Sequence, residues 1–311
     1  MNSADLFSGL GGFTEGAEQA GLDVKLCANH WGEAVKWHAL NHPETDHYCQ
    51  DLMHFDWRLL PDLREGLLLA SPACQGFSEA GQPAATRYGH EGGLQRHTAD
   101  RNTAWAVLAA LDTARPLGAV IENVIPFQRW PLFRPWIGTI EAMGYHVVVH
   151  SLNSLDFGSA QDRERTVITA HLRAPVNIEG TGKAQGSGGC LDLDADHSRW
   201  WKDINTRSER MQWRMRKAQE GAGSLCIWNN VSESRGRTLD EPLPTLTTKS
   251  GSQLYLLDGD RCRILNPREL ARGQGFPEHY QIPESRGLAS KLIGNAIDVN
   301  VSRAVVEQMS A

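Results

Sequence analysis

"DLFSGLGGFTEG" occupies residues 5–16 of a 311-residue chain. A strand-like run, "ADLFS" (4–8), enters it, glycines follow at 9, 11 and 12, and a helical pattern, "TEGAEQAG", leaves it. In an open α/β sheet, nucleotide-like ligands bind at the carboxyl end of the first strand, where glycines let the backbone approach them closely. The spacing is not the dinucleotide fingerprint GxGxxG, because Thr14 stands where its third glycine would be. A glycine-rich turn without a ligand accounts for the stretch equally well at this point.

Outward from this turn, further strand-like runs recur: "VKLCAN" (24–29), "GLLLA" (66–70), "GAVIEN" (118–123) and "HVVVHSL" (146–152). Helical patterns such as "TAWAVLAALDTA" separate them. Short buried runs alternating with helices predict a parallel sheet covered on both faces. "TVITAHL" (166–172) follows a link too short for a helical crossover and is expected to pair antiparallel. After residue 172 the pattern loosens into the glycine-rich "APVNIEGTGKAQGSGG", and the region to about 288 reads as a second, irregular lobe. The last segment regains helical spacing through Ile297, Val301, Ala304, Val305 and Met309 and is expected to pack back on the first lobe. The expected division is 1–172 plus 290–311 for the first domain and 173–289 for the second.

Composition excludes some classes. No run of about 18 apolar residues exists, so no transmembrane helix is expected. The start, "MNSADLFSG", lacks the pattern of a signal peptide, and the scatter of the cysteines fits reduced thiols in a cytoplasmic protein. Six scattered cysteines (27, 49, 74, 190, 226, 262) form no CxxC pair, so reduced thiols are expected and no metal site. The net charge of −6 argues weakly against a nucleic-acid partner. Locally, however, Lys and Arg at 199, 202, 207, 210, 214, 216 and 217 face only Asp203 and Glu209, with Trp200, Trp201 and Trp213 interleaved. Alone, that segment reads first as a solvated amphipathic helix with aromatic anchors and only second as a phosphate-binding patch.

Chemistry is expected at three strand ends. "SPACQGFS" (71–78) puts Cys74 where a buried strand empties into a polar loop, as core filler, metal ligand or nucleophile. "ENV" (122–124) ends another apolar run with Glu122. A carboxylate there is costly unless bonded or functional, and burial would raise its pKa. In "QDRER" (161–165), Gln161, Arg163 and Arg165 alternate and would share one face of extended chain, where two guanidiniums need anions.

Taken in order, these segments resemble the cytosine-5 DNA methyltransferase family. "DLFSGLGGF" is similar to its first AdoMet motif, "SPACQGFS" to its nucleophile loop, "ENV" to its catalytic glutamate and "QDRER" to its Gln-x-Arg-x-Arg motif. "RTLDEPLPTLTT" (237–248), "RILNPRELARGQGFP" (263–277) and "GNAIDVNVSRAV" (294–305) resemble its later motifs. The resemblance implies an AdoMet-dependent, Rossmann-like mixed sheet with a smaller target-recognition lobe. It also implies methylation of carbon 5 of a flipped-out cytosine in double-stranded DNA through a Cys74 adduct at carbon 6, with AdoHcy as the second product and no obligate protein partner. Implied catalytic residues are Cys74, Glu122, Gln161, Arg163 and Arg165. In that scheme Arg165 contacts the base and holds Glu122, and Arg163 supports the nucleophile loop. The implied AdoMet pocket comprises Asp5, Phe7, Gly9, Leu10, Gly11, His30, Trp31, Asp51, Pro72, Asn295 and Ala296. Implied DNA contacts are Gln75, Ser78, Arg199, Arg207, Arg210, Arg214 and Arg237, with the loop from Gln75 to about Arg96 as a lid. An RNA methyltransferase on the same scaffold, or a catalytically silent binding module, are the competing readings.

Two departures stand out. His30 occupies a position usually acidic in the family, and Ala73 one that is usually proline. Because proline fixes φ, Ala73 is expected to leave the approach to the thiol less rigid and the chemistry slower.

Overall fold

The computed structural model describes residues 1–74, 77, 91–193, 200–232 and 234–311, with backbone alone for 91–101. The described strands are β1 (Asn2–Leu6), β2 (Asp23–Asn29), β3 (Asp46–Cys49), β4 (Leu67–Ala70), β5 (Gly118–Asn123), β6 (His146–Asn153), β7 (Gln161–Asp162), β8 (Glu164–His171), β9 (Lys202–Asp203), β10 (Leu225–Asn229), β11 (Gly236–Arg237), β12 (Leu243–Pro244), β13 (Leu254–Asp258) and β14 (Arg261–Ile264). The described helices are α1 (Gly12–Gln19), α2 (Gly32–Asn41), α3 (Glu91–Ala114), α4 (Phe133–Ala142), α5 (Glu209–Ala222), α6 (Ser250–Gln253), α7 (Pro267–Gly273), α8 (Arg286–Asn295) and α9 (Val299–Ser310). They fall into two compact units. The first comprises Met1–Asn153, Glu164–Gly180 and Val301–Ala311; the second comprises Ser154–Arg163 and Thr181–Asn300.

The first unit is built on a sheet of order β3-β2-β1-β4-β5-β8-β6. β1 to β5 run parallel, and β8 lies antiparallel to both its neighbours, β5 and β6. This is the mixed sheet anticipated from the sequence. All four residues of β4 and all six of β5 are buried, which is why they read as unbroken apolar runs rather than alternating ones. β1 ends at Leu6, two residues earlier than expected, because Phe7 takes a left-handed φ of 64° that no strand continues. β3 was not foreseen. It is a polar edge strand, "DHYC", with a single neighbour and no apolar alternation to announce it.

The C-terminal helix returns to the first unit as expected, with Val301, Ala304, Val305 and Met309 buried. Ser302 Oγ donates to the Phe13 carbonyl at 3.1 Å, and a Cβ on Gly16 would stand 2.4 Å from that Oγ. Gly16 is therefore the close-approach point of α1 and α9.

The second unit carries a five-stranded antiparallel sheet, β11-β10-β13-β14-β9. The expectation of an irregular lobe is thereby corrected. Cys226, Trp228, Tyr255, Leu257 and Cys262 pack with Met215 and Ala218 of α5, while the intervening Ile227 and Leu256 are buried as well. Covering both faces erases the period-two signature, and strands of two to five residues are too short to show it otherwise.

Candidate active site

Parallel pairing of Ala70 with Ile121 makes β4 and β5 empty at the same edge of the first unit's sheet. Ser71 to Cys74 leave the end of β4, and Glu122 and Asn123 end β5. Cys74 is half-buried. Three contacts tie its loop down. Asn123 Nδ2 donates to the Pro72 carbonyl at 2.9 Å, the Ala73 amide donates to Thr103 Oγ1 at 3.0 Å, and the Phe77 amide donates to the Cys74 carbonyl at 3.0 Å. The Phe77 ring packs edge-on against Phe127 and Trp130, at 4.7 and 5.5 Å. Asn123 and Thr103 are positioning residues that the sequence reading missed; the position of Asn123 beside Glu122 was the available signal.

The Ala73 hydrogen bond revises the expectation about proline. Rigidity before the thiol comes from Thr103 accepting the amide proton, a bond that a proline nitrogen cannot make. Ala73→Pro is therefore expected to lower stability by about 1 kcal/mol without raising turnover. Urea denaturation and initial methylation rates of the two proteins check this, and a faster, more stable variant would refute it.

Glu122 is buried, and its Oε1 lies 3.2 Å from Arg165 Nε. Arg165 Nη1 also donates to the Glu164 carbonyl at 2.7 Å. Glu122 pairs with Val167 in the ladder, so Arg165 reaches it from two residues along the neighbouring strand. The other two residues of the motif lie elsewhere, and the shared face expected from alternation is corrected. Strand pairing breaks at Arg163: β7 pairs with β12 in the second unit, whereas β8 belongs to the first unit's sheet. The Gln161 amide donates to the Gly273 carbonyl and Gln274 Oε1, at 3.2 and 3.0 Å, and accepts from the Leu246 amide at 2.7 Å. Arg163 is buried and donates to the carbonyls of Leu246, Gly294 and Ala296, at 2.8, 3.2 and 2.9 Å. These bonds give both side chains a positioning role within their unit.

The residues expected around a nucleotide-like ligand emerge from the carboxyl ends of β1 to β4, which run parallel and so open at one edge. The chain crosses there from β3 on one side of β1 to β4 on the other, the topological switch point at which such sheets form a crevice. Phe7, Gly9 and Gly11 all have positive φ, and Gly11 caps α1. Trp31 caps α2, its amide held by Asn29 Oδ1 at 2.9 Å, and His30 beside it is exposed. Asp51 is exposed and accepts from the Met53 amide at 3.0 Å; Pro72 is buried. Leu10 is wholly buried and belongs to the core. Asn295, exposed, and Ala296, buried, lie in the second unit, where Ala296 anchors Arg163 and Gln274 through its carbonyl.

Asp5 is fully buried, and its Oδ2 accepts from Thr14 Oγ1 at 2.9 Å. Burial pushes its pKa from 3.8 up to about 7, against the opposing pull of Thr14. The folded chain therefore holds this proton more tightly than the unfolded one, so the stability Asp5 contributes is full below about pH 4 and lost as pH rises to about 7. Asp5→Asn is expected to be more stable than the wild type at pH 8, with the gap closing toward pH 4. Urea midpoints across that range read the difference, and a gap that widens at low pH would sink the assignment.

A family model described as C-5 cytosine-specific DNA methylase matches residues 1–311. The chain belongs to that family. Among its curated relatives, the Type II methyltransferase M.NlaX of Neisseria lactamica is 28% identical over 332 residues, covering 99% of this chain and 95% of the relative. The Type II methyltransferase M.NgoBI of Neisseria gonorrhoeae is 28% identical, covering 96% and 90%. Among solved structures, the S. pombe Dnmt2 methyltransferase superposes with a TM-score of 0.72 at 17% identity, covering 99% of this chain and 98% of that one. The Entamoeba histolytica methyltransferase EhMeth gives 0.67 at 14% identity, covering 99% and 97%; both likenesses establish the fold. The mixed α/β architecture, the family and the methyltransferase activity on DNA cytosine anticipated from the sequence therefore stand.

The candidate DNA contacts of this methylase have different surroundings. Gln75, Ser78 and Arg199 lie outside the described residues, as does most of the expected lid. Arg214 donates to Asn230 Oδ1 at 2.6 Å and to the Val231 carbonyl, and its guanidinium lies 5.0 Å over the Trp228 ring. Arg237 donates to the Pro242 carbonyl at 3.1 Å. These contacts bind both arginines to their own unit, because a half-buried guanidinium takes the nearest carbonyls. Trp200 and Trp201 are likewise covered by Arg286, Arg261 and Arg263. Arg207 is half-buried. On α5, by contrast, Arg210, Trp213 and Lys217 are exposed at helical spacing, with Trp213 63% exposed and Lys217 4.9 Å over its ring. No described helix is long and apolar enough to cross a membrane.

Proposed function

We propose that this methylase uses AdoMet to methylate carbon 5 of a flipped-out cytosine in a short duplex DNA sequence, with Cys74 as nucleophile and Glu122 and Arg165 at the base. The observation that carries the assignment is the buried Glu122–Arg165 pair at the end of β5, beside the strand end that delivers Cys74. Carbon 5 of cytosine is a poor nucleophile. Addition of the Cys74 thiolate at carbon 6 makes it enamine-like, while Glu122 bonds ring nitrogen 3 and the exocyclic amine and offsets the charge that develops there. Arg165 holds Glu122 in place and faces the base carbonyl. After methylation, carbon 5 loses its proton to a base and the Cys74 sulfur leaves, restoring the aromatic ring. The target is stacked within the duplex, so the base must swing out to reach Cys74.

The crevice fits AdoMet by its chemistry. Positive-φ backbone at Gly9 and Gly11 admits close approach, Trp31 offers a ring to an adenine, and His30, a partner for a hydroxyl, and Asp51 supply polar atoms. AdoMet supplies the electrophilic methyl group. In the second unit, Arg210, Trp213 and Lys217 suit phosphate and stacking contacts, with Arg207 at the edge of the same segment. The Type II names of the relatives support a role in modification beside a restriction enzyme.

Bisulfite sequencing of DNA from a host expressing the protein tests activity and target together. Protected cytosines in one sequence context are expected. If wild type and Cys74→Ala both fail to form a covalent adduct with duplex DNA containing 5-fluorocytosine in the presence of AdoMet, the assignment fails.

A further inference from the structure

A second constellation lies in the first unit, behind the first glycine turn, and serves no step of the reaction. Cys27 of β2, His38 of α2 and His47 of β3 bring one ligand atom each to within 4.8 Å of one another. His38 Nδ1 is the centre of the group, 2.9 Å from His47 Nε2 and 3.6 Å from Cys27 Sγ. Tetrahedral zinc–nitrogen and zinc–sulfur bonds place two nitrogens about 3.3 Å apart and a nitrogen and sulfur about 3.6 Å apart. The spacing of Cys27 Sγ from His38 Nδ1 already matches, His47 Nε2 lies within 4.8 Å of the sulfur, and the two nitrogens need to separate by a few tenths of an ångström.

The hydrogen bonds around the group assign its lone pairs. Thr14 gives its single hydroxyl proton to Asp5, so Thr14 Oγ1 accepts from His38 Nε2 at 3.0 Å, and His38 Nδ1 is left with a lone pair. His47 Nε2 faces that nitrogen across 2.9 Å. Two ring nitrogens facing each other across 2.9 Å with lone pairs repel unless a proton or a cation sits between them. The S–H of Cys27 is one proton against two acceptors. A metal-ligating histidine whose other ring nitrogen donates to an oxygen, itself anchored on a carboxylate, is the usual outer shell of a built metal site. Here that shell is Thr14 and Asp5.

We propose that Cys27, His38 and His47 form a site for a thiophilic divalent cation of the zinc class, with water as the fourth ligand. Thiolate with imidazole selects such ions over magnesium or calcium. Cys27 and His38 are wholly buried, whereas His47 is half-buried on an edge strand and provides the entry. On binding, the Cys27 thiol gives its proton to solvent, a metal–sulfur bond replaces the S–H bond, and the two imidazoles contribute lone pairs. The site would clamp β3 and α2 to the central sheet, and it is independent of the reading of the catalytic residues.

The test uses the full chain, treated with chelator and titrated with cobalt(II) alone. One equivalent is expected to bind with a thiolate-to-cobalt charge-transfer band that zinc(II) bleaches. Cys27→Ala should abolish the band. His47→Ala, at a half-buried edge position that leaves the far-ultraviolet circular dichroism unchanged, should weaken binding at least tenfold. Thr14→Val should keep the stoichiometry and weaken binding about tenfold. Cys226→Ala, in the other unit, should bind as the wild type does. Absence of the band in the wild type, or its survival in both Cys27→Ala and His47→Ala, overturns the proposal.

Discussion

Cys74→Ala is expected to reduce methyl transfer to DNA by at least about 10⁴-fold, because removing the nucleophile of a covalent mechanism removes the route and not one contribution to it. No other described cysteine replaces it. Cys27, Cys190 and Cys226 are buried, and burial pushes their thiols up to about 12, 11 and 11, so without a bound cation they stay protonated near neutral pH. Cys262 is buried too, in the second unit's core. Cys49 is exposed but ends β3 at the sheet's edge, three strands away from β4. Glu122→Gln keeps the shape and hydrogen bonds of the side chain in part, and loses the charge that pairs with Arg165. A smaller loss is expected, between about 10² and 10⁴. Transfer of labelled methyl groups to duplex DNA measures both. A Cys74→Ala protein within tenfold of the wild type would overturn the covalent mechanism.

Glu269→Ala is expected to cost about 3–5 kcal/mol of stability, the largest single effect on folding foreseen outside the sheet core. Arg263 is 2% exposed and Glu269 wholly buried, and they pair through two bonds of 2.6 and 2.7 Å. Glu269 also accepts from the amides of Asn266 and Asp192, at 2.8 and 2.9 Å, and closes a capping box at the start of α7. Removing it leaves a buried guanidinium beside Trp201 without its counter-ion and takes away the half of the capping box that Glu269 makes to the Asn266 amide. Arg235→Ala is the control. Its pair with Glu241 is largely exposed, so about 1 kcal/mol or less is expected. Urea midpoints compare the two, and equal losses would refute the argument from burial.

The legible part of this fold was the part built from local spacing. β1, the glycine turn and α1 are contiguous, and β4 and β5 are buried on both faces, so their composition announced them. Cys74 and Glu122 could be singled out because each ends such a run with a residue that core packing would not choose. β3 and the second unit's sheet were illegible because an edge strand needs no apolar face, and a strand covered on both sides shows no alternation. The motif at 161–165 was legible as a unit and misleading as geometry, since the alternation rule assumes an unbroken strand.

By itself, the sequence determined the strand order of chemistry along the chain: the glycine turn, the thiol, the carboxylate and the arginines, each set by a few neighbouring residues. Only tertiary structure decided which partners they keep. Asn123 meets Pro72 from 51 residues away, Arg163 meets Leu246 from 83, and Ser302 meets Phe13 from 289. It likewise brought Cys27, His38 and His47 together from three elements with no metal-ligand spacing. The physical reason is that periodicity and turn chemistry are local properties of the chain. Which buried donor finds which acceptor depends on how whole elements pack, and the cost of leaving either unpaired is paid only in the folded core.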